Sequence, residues 1–333
     1  LEIKVADKLL KIESNEEGEI QTKEIIYDGL TRKEFEEIKE KVKVGDYVNY
    51  TPTSATIQTD PSKTGYGAKE TLTTDTSAKW RILSIDEDTG RVLITTQGPV
   101  NKVTLKGATG YLFGVNELHR LCEKLYSNIS KSLAAKSMTI EDLNKACDYT
   151  PPTDNIRYAW YPADATDDEL KPVTAGGKTY QARRHTATLA IGVDSPRFYT
   201  WDDMNGVTHT AKDENDYKEL ESKNEPILTS RTYYECNPGD GNAVINSILG
   251  GDETNRGWLA SSYVGLDFAK GYVIFDMRSA YSGYVSGNSL YHSTTTTYAQ
   301  AYGLHPVVSF NINRLNISDA TKTGTETAPW EIK

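Results

Sequence analysis

Charged side chains are missing from a long stretch near the end of this chain. Residues 279–313 contain no Asp, Glu, Lys or Arg, although 25% of the 333 residues are charged overall. Tyr, Ser, Thr, Asn and Gly dominate the stretch, and seven of the 21 tyrosines fall between residues 263 and 302. Tyrosine offers a large, rigid contact area, and Ser, Gly and Asn offer adaptable hydrogen bonding, as in antibody loops. The composition therefore indicates either a recognition surface on a β-rich scaffold or an exposed Tyr- and Thr-rich sheet without a specific ligand.

Other absences narrow the class of protein. No apolar run reaches the roughly 18 residues that a membrane-spanning helix requires, so we expect no membrane contact by this chain. The net charge of −10 and the lack of a basic stripe exclude a nucleic-acid partner. Three cysteines are too few for a disulfide framework, and either one bridge, Cys122–Cys147, or three free thiols would fit. Because the chain begins at Leu1 and not at Met, we expect that a preceding segment was removed, either by processing or by trimming, and a signal peptide or hydrophobic anchor is one candidate.

Sequence motifs for catalysis are also missing. The chain has no Gly-rich phosphate loop, no His-Glu-x-x-His, no Cys-x-x-Cys and no Gly-x-Ser-x-Gly. Its five histidines are scattered, and none has a partner at metal-ligand spacing. The acidic positions 202–203 and 240 lie among Asn and Gly, a composition typical of turns. We therefore predict no enzyme activity, no catalytic residue, no metal site and no cofactor.

A charge-dense arm over residues 1–43 differs from the rest of the chain. Residues 19–27 alternate weakly and predict a strand. Thr31 and Glu34 form a capping box ahead of Phe35, Ile38 and Val42, whose spacing predicts one apolar face of a short helix. The arm would be either a solvated lead-in to the removed anchor, which we favour, or a packing element for self-assembly.

Residues 44–333 predict an α+β domain with antiparallel sheets, two to three helices and long irregular loops. Residues 80–85 and 91–95 flank a turn with Gly90 at its left-handed position, which predicts a hairpin. Helices are predicted over 115–125, after the Thr139 cap, and over 242–249. Residues 51–79 read as a loop, and residues 148–223 read as a loop-rich insertion with too few clustered aliphatic residues for a core of its own.

Several segments in this order resemble a known family. They are residues 44–50 (VGDYVNY), 80–83 (WRIL), 135–142 (AKSMTIED), 257–261 (GWLAS), 272–278 (YVIFDMR) and 303–310 (GLHPVVSF). Together they are similar to C-type-lectin-like domains of bacteria and phages. This group is related to formylglycine-generating enzymes and includes the variable proteins of diversity-generating retroelements. In such variable proteins, adenine-directed mutagenesis scatters Tyr, Ser, Asn, Thr, His and Gly over exposed positions near the C-terminus.

The resemblance implies a C-type-lectin-like fold over residues 44–333 with a variable binding segment over 261–303. Three departures limit what it implies. His305 stands where the closing motif usually has Arg, which removes an expected buried ion pair. No cysteine follows Cys236, so formylglycine generation is excluded. The Glu-Pro-Asn, Gln-Pro-Asp and Trp-Asn-Asp motifs of calcium-dependent sugar binding are absent.

The predicted function is non-catalytic ligand binding and display, as in an adhesin or receptor-binding protein. The partner would be a protein or glycan on another cell or phage, and the chain would lie outside the cell, at the cell surface. The alternative is a structural subunit of a pilus-like filament or virion, assembled through the N-terminal arm. The expected contact residues are Tyr263, Tyr281, Tyr284, Ser286, Asn288, Tyr291, His292, Thr294, Thr296, Tyr298, Gln300 and Tyr302.

Overall fold

The computed structural model of the 333-residue chain describes residues 2–5, 8–14, 20–27, 30–150, 156–162, 164–184, 200–210, 225–231, 242–267 and 272–333. Within these residues the chain is a mixed α+β protein with several antiparallel sheets, as the sequence predicted. Cys236 and most of the Asn- and Gly-rich run that ends at residue 242 lie outside the described residues. None of the helices in the described part of the chain combines the length and apolar character needed to cross a membrane.

The N-terminal arm forms an antiparallel sheet followed by a helix. Its strands pair in chain order: β1 (Glu2–Val5), β2 (Lys8–Ser14), β3 (Ile20–Tyr27) and β4 (Leu30–Thr31). Helix α1 (Arg32–Lys41) begins at the predicted capping box, with the Thr31 hydroxyl accepting from the Glu34 N–H. The sequence predicted one strand in the arm, whereas the structure has four. The others were missed because short charge-dense strands show almost no apolar alternation.

The rest of the chain contributes four more helices and nineteen more strands to the described residues. In chain order they begin with β5 (Tyr47–Asn49), β6 (Thr56–Gln58), α2 (Pro61–Thr64), β7 (Thr71–Thr73), β8 (Trp80–Ile85), β9 (Arg91–Thr96), β10 (Val100–Lys106), α3 (Gly107–Tyr126), β11 (Ala135–Ser137) and α4 (Ile140–Ala146). They continue with β12 (Ile156–Tyr161), β13 (Val173–Ala175), β14 (Lys178–Arg184), β15 (Thr200–Asp202), β16 (Thr208–Thr210), β17 (Ile227–Arg231), α5 (Ala243–Leu249), β18 (Gly257–Asp267), β19 (Tyr272–Tyr281), β20 (Tyr284–His292), β21 (Ala299–Leu304), β22 (Pro306–Asn311) and β23 (Trp330–Glu331).

Two sheets enclose the main core. One has the order β11-β22-β9-β8-β5-β23, and the other has the order β10-β21-β18-β19-β20. The predicted hairpin is confirmed as β8–β9, and Gly90 adopts φ +66°. The predicted helices are confirmed as α3, α4 and α5, and α4 has a capping box between Thr139 and Asp142. The predicted loop over residues 51–79 instead contains α2 and the two-stranded β6–β7 ribbon.

Helix α3 packs against the five-stranded sheet and is longer than predicted. Three glycines, Gly107, Gly110 and Gly114, weaken the helical signal of its first half, because glycine is a poor helix former. Their lack of a side chain allows neighbouring elements to pack closely against the helix. A Cβ on Gly114 would lie 3.1 Å from both Leu105 Cδ1 and Met277 Cε.

The main core also includes part of the arm. Phe35, Ile38 and Val42 are buried against the same cluster as Trp80, Trp258 and Phe310. The apolar face of α1 therefore packs on the body of the protein.

The insertion carries a sheet of its own, which the sequence reading did not predict. Strands β12 to β17 form a six-stranded sheet in the order β13-β14-β12-β17-β15-β16, and it runs to Arg231, beyond the predicted end at residue 223. Ala159, Ala175, Tyr180 and Leu228 form its small core. Tyr180 is fully buried and its hydroxyl donates to the buried Asp202 carboxylate at 2.7 Å. Tyrosine here replaces the clustered aliphatic residues whose absence suggested a coreless loop.

The two described cysteines are free thiols. Cys122 lies in the main core and Cys147 packs at the edge of a second cluster around Leu143 and Leu259. The Cys122–Cys147 bridge that the sequence left open is therefore not formed. Burial raises the pKa of the Cys122 thiol far above its usual range, so the thiol stays protonated.

Candidate functional site

The uncharged stretch contributes the end of β19 and all of β20 and β21 to the five-stranded sheet, and then β22 to the six-stranded sheet. Strands β19 and β20 are joined by a two-residue turn, Ser282 and Gly283, with Gly283 at φ +79°. Tyr281 and Tyr284 face each other across this turn, and their ring centroids are 5.4 Å apart. The turn is tight and glycine-dependent, so these two tyrosines are held in place by regular sheet structure.

Along β20 the side chains divide between the core and the exterior. Val285, Asn288, Leu290 and His292 are buried, whereas Tyr284, Ser286, Ser289 and Tyr291 are half-exposed. The alternation follows from the period of two in a strand, adjusted by an irregularity in the β19–β20 register between Phe275 and Asp276. The strand therefore fixes which members of the tyrosine-rich stretch reach the surface.

The predicted contact residues accordingly fall into three groups. Tyr263, Thr294, Thr296 and Tyr298 are exposed, and Tyr281, Tyr284, Ser286, Tyr291, Gln300 and Tyr302 are half-buried. Asn288 and His292 are only 6% exposed. The prediction that these last two lie on the surface is wrong, because both point inward on β20. Composition alone does not indicate the register of a strand, and so it could not show which side chains point inward.

A single arginine organises one end of the predicted site. Arg256 lies outside the uncharged stretch, and its side chain is 12% exposed. The guanidinium carbon lies 5.1 Å from the Tyr281 ring centroid and 5.8 Å from that of Tyr302. Its Nη1 donates to Ser286 Oγ at 3.3 Å and to Asn288 Oδ1 at 3.2 Å. The half-buried cation therefore connects β18, β19, β20 and β21 from beneath the tyrosine rings.

The Asn288 amide extends this network into the core. Its Nδ2 donates to Ser279 Oγ at 2.6 Å, and Ser279 is fully buried. Asn288 therefore positions Arg256 from the core side. Sequence reasoning missed Arg256 because the network joins it to residues about thirty positions away. A Gly-rich turn with Asp252 and Glu253 directly before β18 is the only local signal near it.

A second aromatic group occupies the other end of the hairpin. The Phe275 ring lies 5.0 Å from Tyr111 of α3 and 5.8 Å from Tyr291. The His292 and Tyr298 rings are 4.8 Å apart, and His292 N–H donates to Thr296 O at 2.9 Å. Tyr298 N–H donates to Leu290 O at 2.8 Å, so the loop from β20 to β21 is folded back on the strand. Thr294 and Thr296 lie at its exposed tip.

Besides Arg256, two further charged side chains of the described residues lie near the site, both on β19. The Arg278 guanidinium lies 5.0 Å from the ring centroid of the exposed Tyr263, while Arg278 itself is 7% exposed. Asp276, 8% exposed, pairs in register with Tyr263 on one side and Ser289 on the other. The two charges are therefore carried below the surface, and tyrosine and serine cover them.

Beneath the site lies an apolar framework. Trp258 is fully buried, its ring lies 4.6 Å from Tyr302, and its Nε1 donates to Val103 O at 2.9 Å. Burial raises the pKa of the Tyr302 phenol, and the nearby Arg256 opposes that shift. The phenol therefore stays neutral at physiological pH. The site thus offers aromatic faces, hydroxyls and amides, a set suited to binding.

Among the described residues, no group of His, Cys, Asp or Glu is arranged to hold a metal ion. Comparison of the chain with protein-family models, with curated proteins and with solved structures finds no match. The geometry of the site is therefore the basis for a functional conclusion.

Proposed function

We propose that this protein is a non-catalytic binding protein whose tyrosine-rich hairpin forms the ligand-contacting surface. The observation that carries the proposal is the division of the uncharged stretch by the sheet register. Tyr281, Tyr284 and Tyr291 lie outward, and Val285, Leu290 and Phe310 lie in the core. Rigid aromatic side chains on regular strands make strong contacts at low entropic cost.

We further propose that the fold is C-type-lectin-like and that the outward positions are diversified by a retroelement. The division into an apolar framework and polar-aromatic surface positions supports this, because only the surface positions can change without altering packing. Ten of the twelve predicted contact residues are exposed or half-buried. A protein of this kind acts outside the cell, at the surface of a cell or a virion.

The test is to sequence the genomic region around the gene. Diversification requires a near-copy of the segment coding residues 258–310 beside a reverse transcriptase, with differences only where adenines stand. Those differences should fall on codons for outward residues such as Tyr284 and Tyr298 and spare those for Trp258 and Phe310. If no such copy exists, or if the differences fall on framework codons, programmed diversification is refuted.

A structural subunit of a surface filament is the second candidate. The arm favours it, because β1 is an edge strand of the four-stranded sheet and an edge strand can pair with a second chain. Sedimentation of the full chain over a wide concentration range separates the two functions. Concentration-dependent assembly that is lost on removal of the first strands would support the filament, and a monomer at every concentration would contradict it.

A further inference from the structure

The aromatic surface continues from the tyrosine-rich hairpin onto helix α3. Tyr111 of α3 contacts Phe275, which contacts Tyr291. The next two residues of the helix, Leu112 and Phe113, are 64% and 40% exposed. Sequence reasoning did not reach these residues, because it placed the start of the helix at Val115.

The helix geometry makes these residues a continuous band. Consecutive residues of an α-helix are rotated by about 100° around its axis. Tyr111, at the sheet side, is therefore followed by Leu112 on the outer face and by Phe113 on the side of α2. There the Lys63 ammonium lies 4.7 Å from the Phe113 ring centroid. We call Tyr291, Phe275, Tyr111, Leu112 and Phe113 the aromatic–aliphatic band.

The band lies directly beside the loop that carries the predicted contact residues. Gly107, the first residue of α3, sits against Thr297, since a Cβ on Gly107 would lie 2.9 Å from Thr297 Cγ2. Gly107 N–H donates to Tyr298 O at 3.2 Å, and Thr297 pairs with Tyr291. Helix α3 and the loop therefore form one surface, which a single partner can contact.

Two exposed lysines lie at the border of the band. Residues 98–116 contain two lysines and no acid, and residues 279–313 contain no charge at all, in a chain whose net charge is −10. Exposed lysines at the border include Lys63 on α2 and Lys106 at the start of α3. The first acid along α3 is Glu117, which is 2% exposed and bound to Arg120 at 2.7 Å. The border of the band thus exposes one lysine from α2 and one from the start of α3, on a protein whose net charge is −10.

We propose that the band docks into an apolar groove flanked by carboxylates on a partner protein. This inference rests on the proposed binding function and specifies its ligand as a protein. Leu112 and Phe113 offer no hydrogen bonds, so the hydroxyl-rich surface of a glycan would gain little from them. A convex aromatic and aliphatic ridge is the kind of feature that fills a pocket at the centre of a protein interface. Lys63 and Lys106 would pair with acids at the rim and steer association.

The test uses phage-displayed random peptides as the probe, selected on the full chain. We expect the selected peptides to combine apolar side chains with Asp or Glu. Leu112→Ser and Phe113→Ser should each weaken their binding by about tenfold or more. Lys106→Glu should slow association and reduce its dependence on salt. Ile129→Ser is the matched control, because Ile129 is 76% exposed and lies beyond the C-terminal end of α3, so that variant should bind as the wild type does.

Other outcomes overturn the proposal in distinguishable ways. The docking proposal would be refuted, and the proposed function left intact, if the peptides still bind the Leu112→Ser, Phe113→Ser and Lys106→Glu variants but no longer bind Tyr284→Ser. Peptides insensitive to all of these changes would contradict both. Self-association of the wild type that Leu112→Ser abolishes would make a second copy of this chain the occupant. Thermal unfolding of each variant checks that it remains folded.

Discussion

Trp258 and Tyr284 represent the two kinds of residue in the tyrosine-rich region. Trp258 is fully buried and donates to Val103 O, whereas Tyr284 is half-exposed and touches Tyr281 across the turn. Trp258→Ala should reduce the free energy of unfolding by about 3–5 kcal/mol, and Tyr284→Ala by no more than about 1 kcal/mol. Urea denaturation of both variants measures the difference. Similar losses from the two substitutions would contradict the division between framework and surface.

The buried His305 side chain makes the free energy of unfolding depend on pH. The side chain is fully buried between β21 and β22, and neither ring nitrogen makes a well-formed hydrogen bond to a described residue. Burial lowers its pKa from 6.5 to about 4, although the backbone of Ala280 opposes the shift. Between these two values the unfolded chain binds a proton that the folded chain does not. Stability from this residue is therefore complete above pH 6.5 and is lost as the pH falls towards 4.

The expected loss is about 1.4 kcal/mol for each pH unit in that window. Because leucine does not titrate, the His305→Leu variant should show a shallower decline in the free energy of unfolding over the same range. Denaturant titrations of both proteins at a series of pH values, from neutral pH down to about pH 4, provide the measurement. Parallel pH profiles would show that His305 does not titrate as its burial implies.

At the scale of the element, strand β20 depends on Gly287 lying against Asp276. A Cβ at position 287 would lie 2.6 Å from Asp276 Oδ2, and Asp276 is only 8% exposed and has little room to move. Gly287→Ala should therefore destabilise the protein by about 1–3 kcal/mol. Gly67→Ala is the control, because no atom lies within 4 Å of a Cβ there. Equal thermal stability of the two variants would contradict the close packing of β19 and β20.

The secondary-structure elements show how much of the fold could be predicted from the sequence. Helices α1 and α4 and the β8–β9 hairpin begin or turn at local signals, namely the capping boxes at Thr31 and Thr139 and the glycine at position 90. The arm sheet and the sheet of the insertion depend on pairing between short strands, which no local pattern marks. The place of Arg256 under the tyrosines likewise depends on contacts between strands that are distant in sequence. Local signals therefore gave the elements, and non-local contacts decided the site.

At the scale of the whole molecule, helix α1 of the arm is part of the body that follows it. Phe35, Ile38 and Val42 lie within the main core. Removal of residues 1–29 leaves this helix in place. Removal of residues 1–43 should cost about 5 kcal/mol or more relative to removal of residues 1–29, because four buried apolar side chains, Leu30, Phe35, Ile38 and Val42, are lost. Calorimetry of the two truncated chains tests this, and equal stability would contradict the packing of α1 on the body.

The central claim is that a fixed framework carries a surface that tolerates replacement. The most direct measurement randomises Tyr281, Tyr284, Tyr291, Thr294 and Tyr298 together and counts the folded members of the library by resistance to protease. A matched library randomises Trp258, Leu290, Leu304, Val308 and Phe310, which are buried. We predict that most members of the first library fold and that few of the second do. Equal losses of folded members in the two libraries would contradict the claim.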